Sequence, residues 1–290
     1  MEQQSKAETT QPKRHHYIPI TILENFTDEG GWLHIYRRQN PDVGIRPSRP
    51  DQCFLEGHLY SLINSDGTRD PKLEKSFAEL EGSVGPLLTQ VLAAARQDRY
   101  PDISSDQIEE LMLYFYLQWK RVPDVQKAVT PDAEASAMMD RLLAELRQQL
   151  PDRSAEIDAL DTPEARRRTL HNARVGSVTT IANDTNSVMR SRGFGVLRIG
   201  LPNKQFVIAS RPILKLNPVG QSYLGDPIVE MWLPIAPDVA IGLCGRKGEK
   251  IFGKISDPAW VRAFNLGLIA QSTSFAGPTP KLIHSLATAR

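Results

Sequence analysis

Two adjacent histidines, His15 and His16, are the side chains of this sequence best suited to chemistry. Imidazole is a common metal ligand and general base because its unperturbed pKa is about 6.5. Neighbouring side chains of an extended segment point to opposite faces, so we expect only one of the two to face a given site. Alternatively, both are hydrogen-bonded structural residues that hold the segment against the core. We treat both as catalytic candidates and His16 as the candidate metal ligand.

Two glutamates are candidate acidic partners. Glu74 and Glu81 lie two turns apart on one predicted helix, which separates them by roughly 10 Å along its axis. That distance is too large for both carboxylates to bind one metal ion, although either could meet a histidine from elsewhere. Glu74 also fits a solvated helix face, since Lys75 follows it. Glu81 precedes Gly82, where the helix is expected to be disrupted, and it is the catalytic candidate.

Gln118 and Arg121 are neighbours on one face of a second predicted helix. The planar guanidinium of Arg121 suits a carboxylate or a phosphate, so Arg121 is a catalytic candidate and Gln118 a binding candidate. The competing interpretation of Arg121 is an intramolecular ion pair with an acid such as Glu81. Asn265 lies among apolar neighbours and is the second binding candidate. Its competing interpretation is a buried side chain that caps a loop.

Hydrophobic periodicity predicts the elements that position these residues. Residues 1–13 are polar and are expected to form a disordered tail. Residues 14–290 are expected to form a single domain with a helical insertion at about 71–190. Apolar residues in steps of three and four predict helices in that insertion, at 71–99, 105–121, 133–149 and about 163–190. Gly82, Gly85 and Pro86 should kink or break the first of them.

The second helix has its own boundary signals. Ser105 and Asp106 are its candidate N-caps, and Pro123 should stop it. Its predicted apolar face carries Phe115 and Trp119, together with residues 108, 111 and 112.

Strand patterns flank the helices on both sides. Short strands are predicted at 32–37 and 59–63, with a loop at 39–52 between them. After residue 190, β-type runs occur at 194–201, 205–209, 213–216, 228–233 and 239–243, and a closing helix is predicted from 257 or 258 to 274. The fold class is therefore α+β, with short N-terminal strands, a helical middle section, a C-terminal antiparallel-type sheet and a closing helix.

Composition narrows the function classes. Lys plus Arg number 35 and Asp plus Glu number 34, so there is no strong nucleic-acid charge signature. No apolar run approaches the roughly 18 residues that a membrane span needs, and no secretory signal is visible. Cys53 and Cys244 are expected to be buried, reduced thiols. We therefore predict a cytoplasmic protein that does not bind membranes and whose partners are undetermined.

Several motifs resemble a bacterial family of unknown function, the domain of unknown function numbered 4238. The most specific is the opening at Arg14–Pro19 (RHHYIP) followed by LENF at 23–26. Weaker motifs follow in the family's order, at 73–75 with 81–82, 117–123, 233–237 and 264–265. The resemblance spans about residues 14–275 and implies the family's fold rather than an activity.

One position departs from the family pattern. The family's strand of the type FITSDNP has an Asp two places before its Pro, whereas this chain has Ser210 there, followed by Arg211 and Pro212. If that Asp carries chemistry in the family, its replacement by Ser210 would remove it from this chain.

These residues support two hypotheses about function. The first is a hydrolase, specifically a metal-dependent nuclease or phosphodiesterase, in which His15 or His16 is ligand or base and Arg121 holds a phosphate. A divalent metal ion would be its cofactor. The second is a non-catalytic binding, defence or regulatory module in which the same residues are structural. No serine-hydrolase, P-loop, zincin or dinucleotide motif occurs in a suitable context.

Overall fold

Short strands and one helix form the N-terminal part of the computed structural model, which describes residues 14–129, 131–180, 183–217 and 223–289. The tail predicted at 1–13 lies outside these residues. The N-terminal elements are β1 (Arg14–His16), α1 (Ile20–Asn25), β2 (Leu33–Arg37), β3 (Arg46–Ser48), β4 (Leu55–Gly57), β5 (Leu62–Ile63) and β6 (Arg69–Asp70). The strand predicted at 32–37 is confirmed as β2, whereas the loop predicted at 39–52 contains β3, which pairs with β2.

In the described residues, seven α-helices follow between Asp70 and the next strand. They are α2 (Lys72–Arg96), α3 (Ser105–Lys120), α4 (Pro123–Val129), α5 (Asp132–Gln149), α6 (Ser154–Leu160), α7 (Pro163–Thr179) and α8 (Asn183–Arg190). They occupy the segment predicted to be a helical insertion. The division of the chain into domains stays a prediction.

Two helix predictions were wrong in detail. The break expected in the first helix does not occur: α2 continues through Pro86, because burial of Val84, Leu87, Leu88 and Val91 on either side of the proline outweighs the lost hydrogen bond. A kink there stays a prediction. The single helix predicted at 163–190 is two helices, since α7 ends at Thr179 and α8 begins at Asn183.

The start of α3 differs from the prediction and its end agrees with it. Ser104, rather than Ser105 or Asp106, is the N-cap, and it forms a capping box with Gln107. α3 ends before Pro123, which is also the first residue of α4, a position that tolerates its missing N–H. Among the described residues no helix is long and apolar enough to cross a membrane.

The C-terminal part alternates strands with two helices. Its elements are β7 (Arg192–Ile199), β8 (Ile208–Ala209), β9 (Leu214–Leu216), β10 (Glu230–Ala236), β11 (Val239–Arg246), β12 (Lys250–Ile255), α9 (Pro258–Ala270), β13 (Ser274–Gly277) and α10 (Pro280–Ala287). The helix predicted to close the fold is therefore followed by β13 and α10. Neither of these, nor β12, was predicted.

Two sheets organise these strands. A five-stranded sheet has the order β12-β7-β11-β10-β9, in which every pair is antiparallel except β12 with β7. A four-stranded sheet has the order β3-β2-β13-β8 and so joins the two ends of the chain. The fold is α+β, as predicted, and two small two-stranded sheets, β1-β4 and β5-β6, lie beside the helices.

The two cysteines are free thiols in the hydrophobic core, with exposed fractions of 1% for Cys53 and 0% for Cys244. Burial raises the pKa of each thiol to about 12. Because the thiolate is the reactive form, thiol–disulfide exchange with the folded protein at pH 8 should be about a thousandfold slower than in denaturant. Thiol titration with a chromogenic disulfide measures both rates. Fast reaction of either cysteine in the folded protein would contradict this burial.

Candidate functional site

One face of α3 carries three polar side chains that are buried. Tyr114, Gln118 and Arg121 follow each other at helical spacing, and their exposed fractions are 2%, 1% and 2%. Buried polar groups normally have hydrogen-bond partners, so each of the three requires an account of what it binds.

Arg121 forms an ion pair with Glu81 of α2. Arg121 Nη1 lies 2.6 Å from Glu81 Oε1, and the exposed side-chain fractions are 3% and 30%. The guanidinium also lies over the ring of Phe77, with 5.2 Å from Cζ to the ring centroid. Within the pair, the Glu81 carboxylate is therefore partly exposed to solvent and the Arg121 guanidinium is buried. The sequence analysis gave this ion pair as the competing interpretation of Arg121, in place of a bound carboxylate or phosphate.

A second edge of the Arg121 guanidinium is unused. In the part of the chain that the structure describes, Nε and Nη2 of Arg121 are buried and have no hydrogen-bond partner. Their two N–H bonds are parallel, which is the arrangement that binds two oxygens of a carboxylate or phosphate. A buried guanidinium edge without a partner is costly, so it marks a place where a ligand or water would be stabilised.

Tyr114 and Gln118 also carry buried polar atoms without a partner in the described part of the chain. The Tyr114 hydroxyl and Gln118 Oε1 are buried and lack partners among the described residues, whereas Gln118 Nε2 donates to the Tyr17 carbonyl at 2.7 Å. Burial raises the pKa of Tyr114, and the charges of Arg121 and Glu81 act on it in opposite directions. The Tyr114 hydroxyl therefore stays protonated and able to donate.

The surroundings of His16 favour one tautomer. Burial lowers its pKa, and hydrogen bonds to the backbone of Asp51 and Pro50, together with the charge of Glu81, oppose that shift. Its Nε2 is buried without a partner within the described ranges, so Nδ1 is the atom that donates to the backbone. The neutral ring therefore presents an unprotonated Nε2, the form that a general base needs.

His15 has both ring nitrogens occupied. Its Nδ1 accepts the N–H of Tyr60 at 3.2 Å, and its Nε2 lies 2.8 Å from Glu74 Oε2. Because Nδ1 accepts, Nε2 carries the proton and donates to Glu74, and burial raises the pKa of that carboxyl group. His15 also stacks on the Tyr60 ring and lies edge-on to His58. These contacts hold β1 against the chain around Tyr60.

Backbone strain flanks the strand that pairs with the histidines. Phe54 and His58 border β4 and have φ values of 54° and 53°, in the left-handed region. Each costs on the order of 1 kcal/mol or more for a residue with a β-carbon. β4 pairs with β1 from Arg14 to His16, so the strained turns determine where both imidazoles lie.

The structure brings four of the predicted residues together and separates two. Glu81 and Arg121 form the α2–α3 ion pair, Gln118 lies one helical turn before Arg121, and the charge of Glu81 acts on His16, whereas His15 lies beside Glu74. Asn265 lies elsewhere, where it accepts from the Val207 N–H at 3.1 Å and donates to the Gln205 carbonyl at 2.9 Å. Those are the contacts of a buried side chain that caps a loop.

Tyr114 is the site residue that sequence reasoning missed. It lies four residues before Gln118, on the same helix face, so helical spacing could have found it. The signal was hidden because tyrosine also fits the apolar pattern of α3.

The described ranges contain no group of three or more His, Cys, Asp or Glu side chains that could hold a metal ion. A metal ion at His16 stays a prediction.

Ser210, at the position of the family's Asp, contacts a carboxylate from another element. Its hydroxyl donates to Asp124 Oδ2 at 2.6 Å, and the same oxygen accepts from the Thr273 hydroxyl at 2.8 Å. Asp124 lies at the start of α4, directly after the Arg121–Pro123 segment. A carboxylate is therefore present beside this strand end, although the strand itself does not carry it.

The fold and the site can now be compared with known proteins. A family model described as "Protein of unknown function (DUF4238)" matches residues 14–276. No curated protein and no solved structure matches the chain.

The contacts of His15 predict a structural role that can be measured. In His15→Ala the Tyr60 N–H loses its acceptor and the Glu74 carboxylate loses its donor. The Tyr60 N–H is buried and costs about 1–3 kcal/mol when unsatisfied, whereas Glu74 is partly exposed and can bind water, so thermal unfolding should shift down by several degrees. His284→Ala, at an exposed histidine of α10, is the matched control and should leave the unfolding temperature unchanged. An unchanged melting temperature in His15→Ala would contradict the structural role.

Proposed function

The chain belongs to the DUF4238 family, and we propose that it is a hydrolase that acts on a phosphate ester at the His16–Arg121 site. Two observations carry the proposal: within the described residues, His16 Nε2 and the Nε–Nη2 edge of Arg121 are buried without a hydrogen-bond partner, and the charge of Glu81 acts on both side chains. A base and an oxyanion binder are the two groups that hydrolysis of a phosphodiester requires.

Each group has one task in this reaction. Arg121 Nε and Nη2 bind two non-bridging oxygens of the phosphate, and Tyr114 donates a third hydrogen bond. His16 Nε2 removes a proton from water, whose oxygen attacks phosphorus as the bond to the leaving oxygen breaks. The resulting imidazolium returns the proton to the leaving alcohol, so no proton is gained or lost by the protein. Glu81, paired with Arg121 Nη1, holds the guanidinium in this orientation.

The metal-dependent form of the proposal differs in one respect. A divalent ion at His16 would supply the attacking hydroxide, so activity would disappear with a chelator and return with added metal. Activity that survives chelation supports the imidazole base instead. Cytoplasmic location likewise remains part of the proposal.

The second candidate is a binding module that uses the same site without catalysis. It is favoured by Ser210, whose hydroxyl is fully engaged by Asp124 and by the N–H groups of Thr273 and Ser274. Such a module would bind a phosphate or carboxylate at Arg121 and release it unchanged.

Two substitutions separate the hypotheses. In His16→Asn the amide nitrogen replaces Nδ1 as the backbone donor, while the base at Nε2 is lost. In Arg121→Lys the positive charge beside Glu81 remains, while the two-pronged edge is lost. Against chromogenic and oligonucleotide phosphodiesters, each should lower kcat/KM by about a hundredfold or more.

The melting temperature is the control for both variants. His16→Asn should melt close to the wild type, since its backbone hydrogen bond is retained. Wild-type protein that binds phosphate but turns over no ester of the panel would favour the binding module. Full activity in His16→Asn would show that His16 is not the general base.

The pH dependence gives an independent test of the base. Because burial lowers the pKa of His16, its imidazole stays unprotonated at neutral pH and charges only below 6.5. The wild-type kcat/KM should therefore be flat around neutrality and fall on the acidic side, with an inflection below 6.5. The same assay on His16→Asn should show a residual rate without that inflection. An inflection that persists in the variant would assign the titration to another group.

A further inference from the structure

A cavity of about 640 Å³ lies on a different face of α3 from the polar site. It is enclosed by α3, α4, α5 and α7, with Leu224 at its margin. Its volume is within the range of about 300–1,000 Å³ that is typical of small-molecule sites. Its walls are mainly apolar, including Trp119, Met139 and Leu170.

Part of this apolar wall faces solvent. Met138 and Leu142, both on α5 and both lining the cavity, have exposed fractions of 55% and 50%. Two large apolar side chains one helical turn apart form a continuous apolar strip. Covering them with an apolar ligand would release ordered water and stabilise the complex.

Among the described residues, one cation in the cavity wall has no acidic partner. Lys120 Nζ donates to the carbonyls of Ser177 at 2.5 Å and Thr180 at 2.6 Å, and it forms no ion pair with the described residues. An ammonium group has three donors, so one N–H is not used by these carbonyls, and the Tyr116 ring lies on that side with its centroid 5.4 Å from Nζ. Burial lowers the pKa of Lys120, the direction expected when a charge is desolvated without a counter-ion.

The other cation of the wall is compensated. Arg174 pairs with Asp132. The cavity therefore combines a long apolar surface with one surplus positive charge at its α3–α7 side.

We propose that this cavity binds a single-chain anionic amphiphile, such as a long-chain carboxylate, with its chain along Met138, Leu142 and Leu170 and its head group at Lys120 Nζ. A neutral apolar molecule would leave the ammonium without a counter-charge, and a polyanion would meet only one positive charge. The charge and the apolar strip together select one negative head group on one apolar chain. The proposal does not depend on hydrolysis at His16.

Dodecanoate and dodecanol are the probes, because they share a chain and differ in charge. Calorimetric titration below the micelle concentration should give tighter binding of dodecanoate than of dodecanol to the wild type. Lys120→Gln should weaken the binding of dodecanoate by about tenfold or more, which is the contribution of a charge-assisted hydrogen bond. The affinity for dodecanol should change little. Lys127→Gln is the matched control, since Lys127 is an exposed lysine of α4 outside the cavity wall.

A second variant tests the chain site without disturbing Lys120. Leu142→Asp puts a carboxylate on the half-exposed strip and should weaken dodecanoate binding without lowering the melting temperature. Leu160→Asp, at an exposed leucine of α6 outside the wall, should bind as the wild type does.

Four results would overturn the proposal. Three are absence of dodecanoate binding, equal effects of Lys120→Gln on both probes, and unchanged dodecanoate binding in Leu142→Asp. The fourth is a concentration-dependent dimer that Leu142→Asp abolishes, seen by light scattering, which would assign the strip to a second copy of the chain.

Discussion

The ion pair between Arg121 and Glu81 constrains the arrangement of the helices and the N-terminal strands. A guanidinium that is 3% exposed cannot lose its charge, so its burial is tolerated only if nearby groups replace water. Glu81 from α2 supplies the counter-charge and Phe77 supplies a ring face. The Arg121 carbonyl accepts the Tyr60 hydroxyl at 3.1 Å, which ties the segment after β4 to the same point. Moving either helix would break several of these contacts at once.

α3 separates two chemically different environments. Tyr114, Gln118 and Arg121 face the polar site, while Trp119 and Lys120 face the apolar cavity between the helices. Because Lys120 and Arg121 are adjacent in the chain, the last turn of α3 contributes a cation to each. In the polar site, Arg121 is paired with Glu81 and has unused donors. In the apolar cavity, Lys120 forms no ion pair with the described residues. A shift of this last turn would change both environments together.

The two histidines illustrate how partners, rather than residue type, decide a role. His15 accepts a backbone N–H at Nδ1 and donates from Nε2, so neither nitrogen is available. His16 donates to backbone carbonyls from Nδ1, so its Nε2 lone pair is available. The left-handed turns at Phe54 and His58 position the strand that pairs with both. Local backbone geometry therefore gives neighbouring identical side chains opposite tautomers.

The sequence alone determined the α+β class, the helical middle section and the family, because hydrophobic period and motif order are local properties of the chain. It also indicated Gln118 and Arg121, which share a helix face, and the alternation that separates His15 from His16. Only the tertiary structure decided that α2 runs through Pro86, since packing of its buried residues outweighs a local signal. The same holds for β12, β13 and the pairing of β2 with β13, which depend on partners far away in the chain. Which nitrogen of each histidine is available, and which Arg121 edge is unused, depend on backbone groups of other segments, and no spacing rule encodes those contacts.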